Sequence, residues 1–326
     1  MGIRIHLSAD DLAEVRFAFS PTWELVMSAF KTLRDPAKHA LHLPWVTEAR
    51  RHLVGRDLEL FFSLTSTEHY VADFLTPPPK TPFPEFEEEL VRVVSTSVEQ
   101  IRHEIVGICD TSVTAMASLR YLADDPASWL PTLGEQMREY WKIAIEPHWP
   151  RIRALLEGDV MYRARQLALG GADLLFGDLH PAVSYADGVV EVDKLHDEDV
   201  RPEGRGLILI PGVFDWPGVA ILFGHGYQPT LSYSPRGIAN LWEGAAPEQT
   251  GAMDELIGGT RADILRALEV PMTTSEIAQR LHLTPAAVSQ QLGLLRRAGV
   301  VEATRQGRGV YSALSDQGRR LLELLG

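Results

Sequence analysis

Ala286, Ser289, Gln290 and Gln291 stand close together between Thr284-Pro285 and Leu292. At helical spacing, residues three and four apart share a face, so Ala286, Ser289 and Gln290 would present themselves together. A glutamine amide can pair with an adenine edge in the major groove, and small neighbours let a helix approach that edge. Further along, Arg305-Gln-Gly-Arg-Gly309 sets two guanidinium groups on a glycine-punctuated turn. Such groups suit phosphate oxygens or a narrow minor groove. Thr284 can cap a helix and also offer its hydroxyl to a phosphate.

The flanking residues supply the elements that must carry these groups. Thr273 followed by Glu276 is a capping box, which predicts a helix start; Ile277 and Leu281 then face a core, and Ala278 admits a close neighbour. The pattern breaks at His282-Leu283. Thr284 and Pro285 read as an N-cap and first turn, and Val288, Leu292 and Leu295 give the second helix a buried stripe that ends near Gly299. Val300 to Thr304 and Val310 to Leu314 predict two strands around the arginine turn. Helix, turn, helix and basic hairpin make a winged helix-turn-helix, whose second helix can enter a major groove. A small helical-hairpin domain that binds protein would share the pattern.

Several phrases here resemble the ArsR-type winged helix-turn-helix repressors. They are Gly259-Thr-Arg-Ala-Asp-Ile-Leu-Arg-Ala-Leu268, Thr274-Ser-Glu-Ile-Ala278, Ala287-Val-Ser-Gln-Gln-Leu292, Leu295-Arg-Arg-Ala-Gly-Val-Val301 and Gly309-Val-Tyr311. The resemblance covers about the last seventy residues and implies a dimeric DNA-binding transcription regulator. The whole layout is similar to actinomycete ArsR-like regulators with a long leading domain of unassigned activity. Trp23-Glu-Leu-Val26, His39-Ala-Leu-His-Leu-Pro-Trp45 and Leu241-Trp242 carry that second likeness.

Metal-sensing members of the family place thiols in the reader's first helix, or Asp and His in its last. Here Ile277, Ala278 and Gln279 occupy the first position, and residues 316–325 contain no histidine. Cys109 is the one cysteine, too few for a soft-metal site, and it excludes an internal disulfide. His39 and His42, three apart, could share a metal, but Pro44 and the adjacent leucines equally suit a core corner. His225 between two glycines lacks a Gly-x-Ser-x-Gly companion, and neither a phosphate loop nor a Gly-x-Gly-x-x-Gly fingerprint is present. The sequence thus predicts no catalytic residue, no metal and no cofactor.

A net charge of −13 opposes DNA binding only if it is spread evenly. Residues 254–326 hold nine arginines against eight acidic residues, a net of +1, which leaves −14 on the part in front. Local charge governs phosphate affinity, so the acidic part would be held off the duplex. No run reaches the roughly 18 apolar residues of a membrane helix, and no secretion signal leads the chain. The expected location is the cytoplasm.

The expected fold is mainly α, in the α+β class. A large helical N-terminal domain with a small β-sheet portion spans 1–243, a linker 244–252, and the winged helix-turn-helix 253–326. Helical spacing is read across Asp10–Phe19, Trp23–Leu33, Phe86–Ile108, Ala127–Ile145 and Arg151–Leu169. Phe74–Pro84 reads as an exposed polyproline connection. Asp187-Gly188 marks a hairpin, residues 206–211 and 229–233 mark strands, and Ser234-Pro235 opens a short helix to Trp242. Trp141, His148, Trp149, Tyr162 and Arg165 lie near the two long helices, and Trp141, His148, Tyr162 and Arg165 are candidate pocket residues for a planar or anionic organic effector. The expected partners are that effector, double-stranded DNA carrying an inverted repeat, and a second copy of the chain. An enzyme-derived leading domain fused to a DNA reader, or a winged fold used for protein binding, remain the alternatives.

Overall fold

The computed structural model describes residues 2–67, 70–111, 119–194, 197–224, 226–242, 257–268, 271–281, 283–306 and 309–325. It divides into two compact units, Met1–Trp242 and Glu243–Gly326. The proposed linker residues 244–252 lie outside the described residues.

The first unit combines strands β1 (Gly2–His6), β2 (Arg16–Phe17), β3 (Val183–Ala186), β4 (Val189–Asp193), β5 (Glu198–Val200), β6 (Ile208–Pro211), β7 (Val219–Leu222) and β8 (Thr230–Tyr233) with a helical body. Its main helices are α1 (Ala9–Ala13), α2 (Pro21–Met27), α3 (Leu43–Leu53), α4 (Glu59–Thr65), α5 (Phe86–Val94), α6 (Val98–Thr111), α7 (Pro126–Tyr140) and α8 (Trp149–Phe176). One sheet runs β3-β4-β1-β5 and the other β2-β6-β8-β7. Ile208 and Ile210 of β6 join the helical core, whereas Leu209 joins the sheet-side core with Ile3, Ile5 and Val190. A strand buried on both faces needs an unbroken apolar run, which Leu207-Ile-Leu-Ile210 provides.

Three expectations change. Residues 10–19 do not form one helix: α1 ends at Ala13, and Arg16-Phe17 pairs in parallel with Ile208-Leu209. Val15, Phe17 and Phe19 alternate, and sheet pairing exploits that two-residue period over the helical one. The β portion is therefore not confined to the end of the unit, since β1 pairs with both β4 and β5. Second, the proline segment is exposed only at residues 80–83, because residues 74–79 are buried. Glu104 Oε2 accepts the Phe74 N–H at 2.8 Å, and prolines bring no N–H that burial would orphan. Third, residues 234–242 contain only a 3₁₀ turn at Ile238–Asn240 in place of the short helix. The Asp187-Gly188 hairpin forms as expected, with φ of 50° and 80° at its two turn residues.

Buried carboxylates join helices to loops and sheets in this unit. Glu24 on α2 accepts the N–H groups of Val213 at 2.7 Å and Phe214 at 3.1 Å, and burial pushes its carboxyl up to about 8. Asp215 accepts Trp23 Nε1 at 2.7 Å and also bonds Ser232 and Lys31. His42, expected as either ligand or corner residue, is fully buried and accepts Trp242 Nε1 at 2.7 Å through Nδ1. Burial drives its imidazole down to about 3, which keeps the ring neutral inside the aromatic ring of Phe214, Trp216 and Trp242.

The second unit contains α9 (Gly259–Ala267), β9 (Met272–Thr273), α10 (Thr274–Arg280), α11 (Pro285–Arg297), β10 (Val301–Gln306), β11 (Gly309–Leu314) and α12 (Asp316–Leu325). Its core gathers Ile264, Leu265, Ile277, Val288, Leu292 and Leu295. The sheet order is β10-β11-β9.

Candidate nucleic-acid interface

Two caps set the helix-turn-helix. At the first, Glu276 N–H donates to Thr273 Oγ1 at 3.3 Å, while Glu276 Oε2 accepts the Thr273 N–H at 2.7 Å and its hydroxyl at 2.8 Å. Those donors hold the Glu276 carboxyl below its ordinary range. At the second, Thr284 Oγ1 accepts Ala287 N–H at 3.2 Å, with Pro285 in the first helical turn. Gly299 closes α11 at φ 75°, a conformation that favours glycine.

The expected faces separate along α11. Val288, Leu292 and Leu295 are buried, whereas Thr284, Ala286, Ser289 and Gln290 are exposed. Gln291 is half-buried, and its Oε1 accepts Arg261 Nε from α9 at 3.1 Å. Gln291 thus sits on the flank with a protein partner, unlike its three open neighbours. The tie between Arg261 and Gln291 was not anticipated; the thirty-residue gap hides it.

The wing is an antiparallel hairpin whose register runs from Val301 opposite Leu314 to Gln306 opposite Gly309. Residues 307 and 308 lie outside the described residues, Arg308 among them. Arg305 stands on β10 opposite Val310. β11 also pairs with β9 through Tyr311–Thr273 and Ser312–Met272, which anchors the wing beside the α10 cap. Arg296 Nη2 donates to Ser312 Oγ at 2.8 Å and ties α11 to the same strand. The capped helix, its exposed short side chains and the attached hairpin can together present amide and hydroxyl groups to a groove.

Loss of the second cap has a measurable consequence. Thr284→Ala should cost α11 about 1 kcal/mol and speed amide exchange over residues 287–295 about fivefold, while Thr284→Ser should preserve both. Unchanged exchange in the alanine variant would show that the cap contributes nothing.

The proposed effector residues are not gathered into one cavity. Trp141 stacks on Phe86 with ring centroids 4.4 Å apart and meets Trp149 edge-on, as core aromatics do. His148 abuts Trp242, with Glu48 at 3.8 Å. Tyr162 lies fourteen residues along α8 from His148, roughly 21 Å at helical rise, where its hydroxyl donates to Asp178 at 3.1 Å and Arg236 covers its ring. Arg165 faces solvent.

The second unit has the architecture of a winged helix-turn-helix. Residues 257–304 match the family of a helix-turn-helix domain, and residues 99–237 match a family of unknown function (DUF5937). A mutant of ZitR from Lactococcus lactis is 28% identical over 20% of this chain and 48% of its own, with a TM-score of 0.20. This chain therefore spans about half the length of ZitR. Reduced HlyU from Vibrio cholerae is 30% identical over 22% of this chain and 78% of its own, with a TM-score of 0.21. No curated protein matches. Among the described residues no helix is long and apolar enough to cross a membrane.

Proposed function

We propose that the protein is a cytoplasmic transcriptional repressor that binds an inverted-repeat operator as a homodimer and responds to a non-metal small molecule. Residues 253–326 read the DNA, 244–252 link, and 1–243 sense the effector or join the two copies. The observation that carries the reading is the open Ala286-Ser289-Gln290 face of a capped helix whose opposite face is buried. One such helix spans a half-site, so two-fold symmetry accounts for an inverted repeat. Thr284 and the wing arginines Arg305 and Arg308 contact phosphates, and Gln291 flanks the base-reading residues. The net charge of −14 ahead of the reader confines contact to it.

Selection of bound sequences from random duplexes tests this directly. An enriched two-fold motif is expected. Gln290→Ala should then relax base preference at one position of each half-site by roughly 1–3 kcal/mol, measured by gel shift against the selected duplex and single-base variants. No enriched motif would favour a protein-binding wing, and unaltered discrimination by the variant would remove Gln290 from the reading face.

A further inference from the structure

We infer that the first unit holds a binding site for a small organic anion, a monocarboxylate on a flat apolar body, with Lys194 meeting the carboxylate. The site is a cavity of about 360 Å³ bounded by α2 and the turn that continues it, the 70–76 segment and β7. Trp23, Met27, Phe30, Ile221 and Phe223 supply its apolar walls. That volume and lining suit a compact ligand held by a few polar groups.

Two ammonium groups reach this cavity, Lys31 and Lys194. Lys31 is already neutralised, because it pairs with Asp215, whose side chain is fully buried. Lys194 is different. Its Nζ donates to the Val219 carbonyl at 2.8 Å, and among the described residues it forms no ion pair. Burial, then the neighbouring Lys31 cation, destabilise its charge, although Asp215 and Asp193 act in the other direction. An incoming carboxylate would relieve that cost. Asp73, on the cavity wall, opposes the attraction only in part: burial, against the Tyr70 hydroxyl and with the Glu104 charge, pushes its carboxyl up to about 7. A cationic ligand would meet the Lys194 ammonium, and a neutral one would leave it as it is. The apolar walls disfavour small hydrophilic anions, which would forfeit hydration without gaining contact.

The role of this anion as the effector rests on the regulatory reading above; its binding does not. Calorimetric titration of the full chain with 2-naphthoate and its neutral isostere 2-naphthamide separates the two questions. Naphthoate should bind saturably at one site per chain, at least tenfold tighter than naphthamide. Lys194→Gln, which keeps a donor for the Val219 carbonyl, should reduce naphthoate to the affinity of naphthamide. Acetic anhydride labelling of the unmodified protein, mapped by peptide mass, gives a second readout: naphthoate should protect Lys194 and leave the exposed Lys38 reactive. Equal affinities for the two probes, or no protection of Lys194, would overturn the site. Failure of naphthoate to release a selected duplex, with binding intact, would instead count only against its coupling to DNA.

Discussion

Replacement of Asp215 by alanine should destabilise the first unit by about 3–5 kcal/mol, the range for removing one partner of a buried ion pair. The carboxylate is fully buried and holds three donors from different parts of the fold: the Trp23 indole at 2.7 Å, the Ser232 hydroxyl and the Lys31 ammonium. Without it, Trp23 and Ser232 lose their acceptor in a buried setting, and a largely buried cation loses its counter-charge. One new acceptor would not serve all three, because Trp23 lies on α2, Ser232 on β8 and Lys31 on the turn that continues α2. Asp215→Asn should fall between the two, since an amide oxygen keeps one acceptor but no charge. The measurement is clean, because all seven tryptophans lie within residues 1–242 and report this unit alone during urea unfolding. A loss below about 1 kcal/mol would mean that the pair's desolvation cost already offsets its attraction.

The contrast between the two units explains what was readable beforehand. In the reader, the contacts that set the two helices span three or four residues: Thr273 with Glu276, Thr284 with Ala287, Val288 with Leu292. Local chemistry of that kind is printed in the sequence as spacing. The first unit relies on partners far apart along the chain, such as Lys31 with Asp215, Asp11 with Gly204, and β1 with β5. No spacing rule signals them. Ile3, Ile5 and Leu7 alternate, yet the partners of that strand lie some 190 residues away, and a short run at the head of the chain does not name them. Aromatic type does not separate core from ligand-stacking residues either: Trp141 stacks on Phe86 and meets Trp149 edge-on. The lysines of the cavity carry no motif at all, since Lys31 and Lys194 meet only through the tertiary fold.

Glu89→Gln should make the first unit less sensitive to pH, by up to about 3 kcal/mol above neutrality. Glu89 is buried beneath the start of α2, where Oε2 accepts the Thr22 N–H at 3.0 Å, the Thr22 hydroxyl at 2.9 Å and the Ser20 hydroxyl at 2.7 Å. Oε1 is buried without a hydrogen-bond partner among the described residues. Burial outweighs the three donors and the Arg92 charge, and pushes the carboxyl from an ordinary 4.5 up to about 7. The folded chain therefore keeps a proton that the unfolded chain releases. Stability from this group is complete below about pH 4.5 and is lost as pH rises through 7. Asp73 and Glu24, raised to about 7 and about 8, add losses of the same sign. His42 acts oppositely: its imidazole, held down at about 3, withdraws stability as pH falls below 6.5. Glutamine imitates the neutral carboxyl, keeps the Oε2 acceptor and places its amide where Oε1 meets no donor. Urea midpoints followed by tryptophan fluorescence should coincide for the two proteins near pH 4 and favour the glutamine variant by pH 8. A difference that stays constant across that interval would show that Glu89 is ionised throughout, with its three donors outweighing burial.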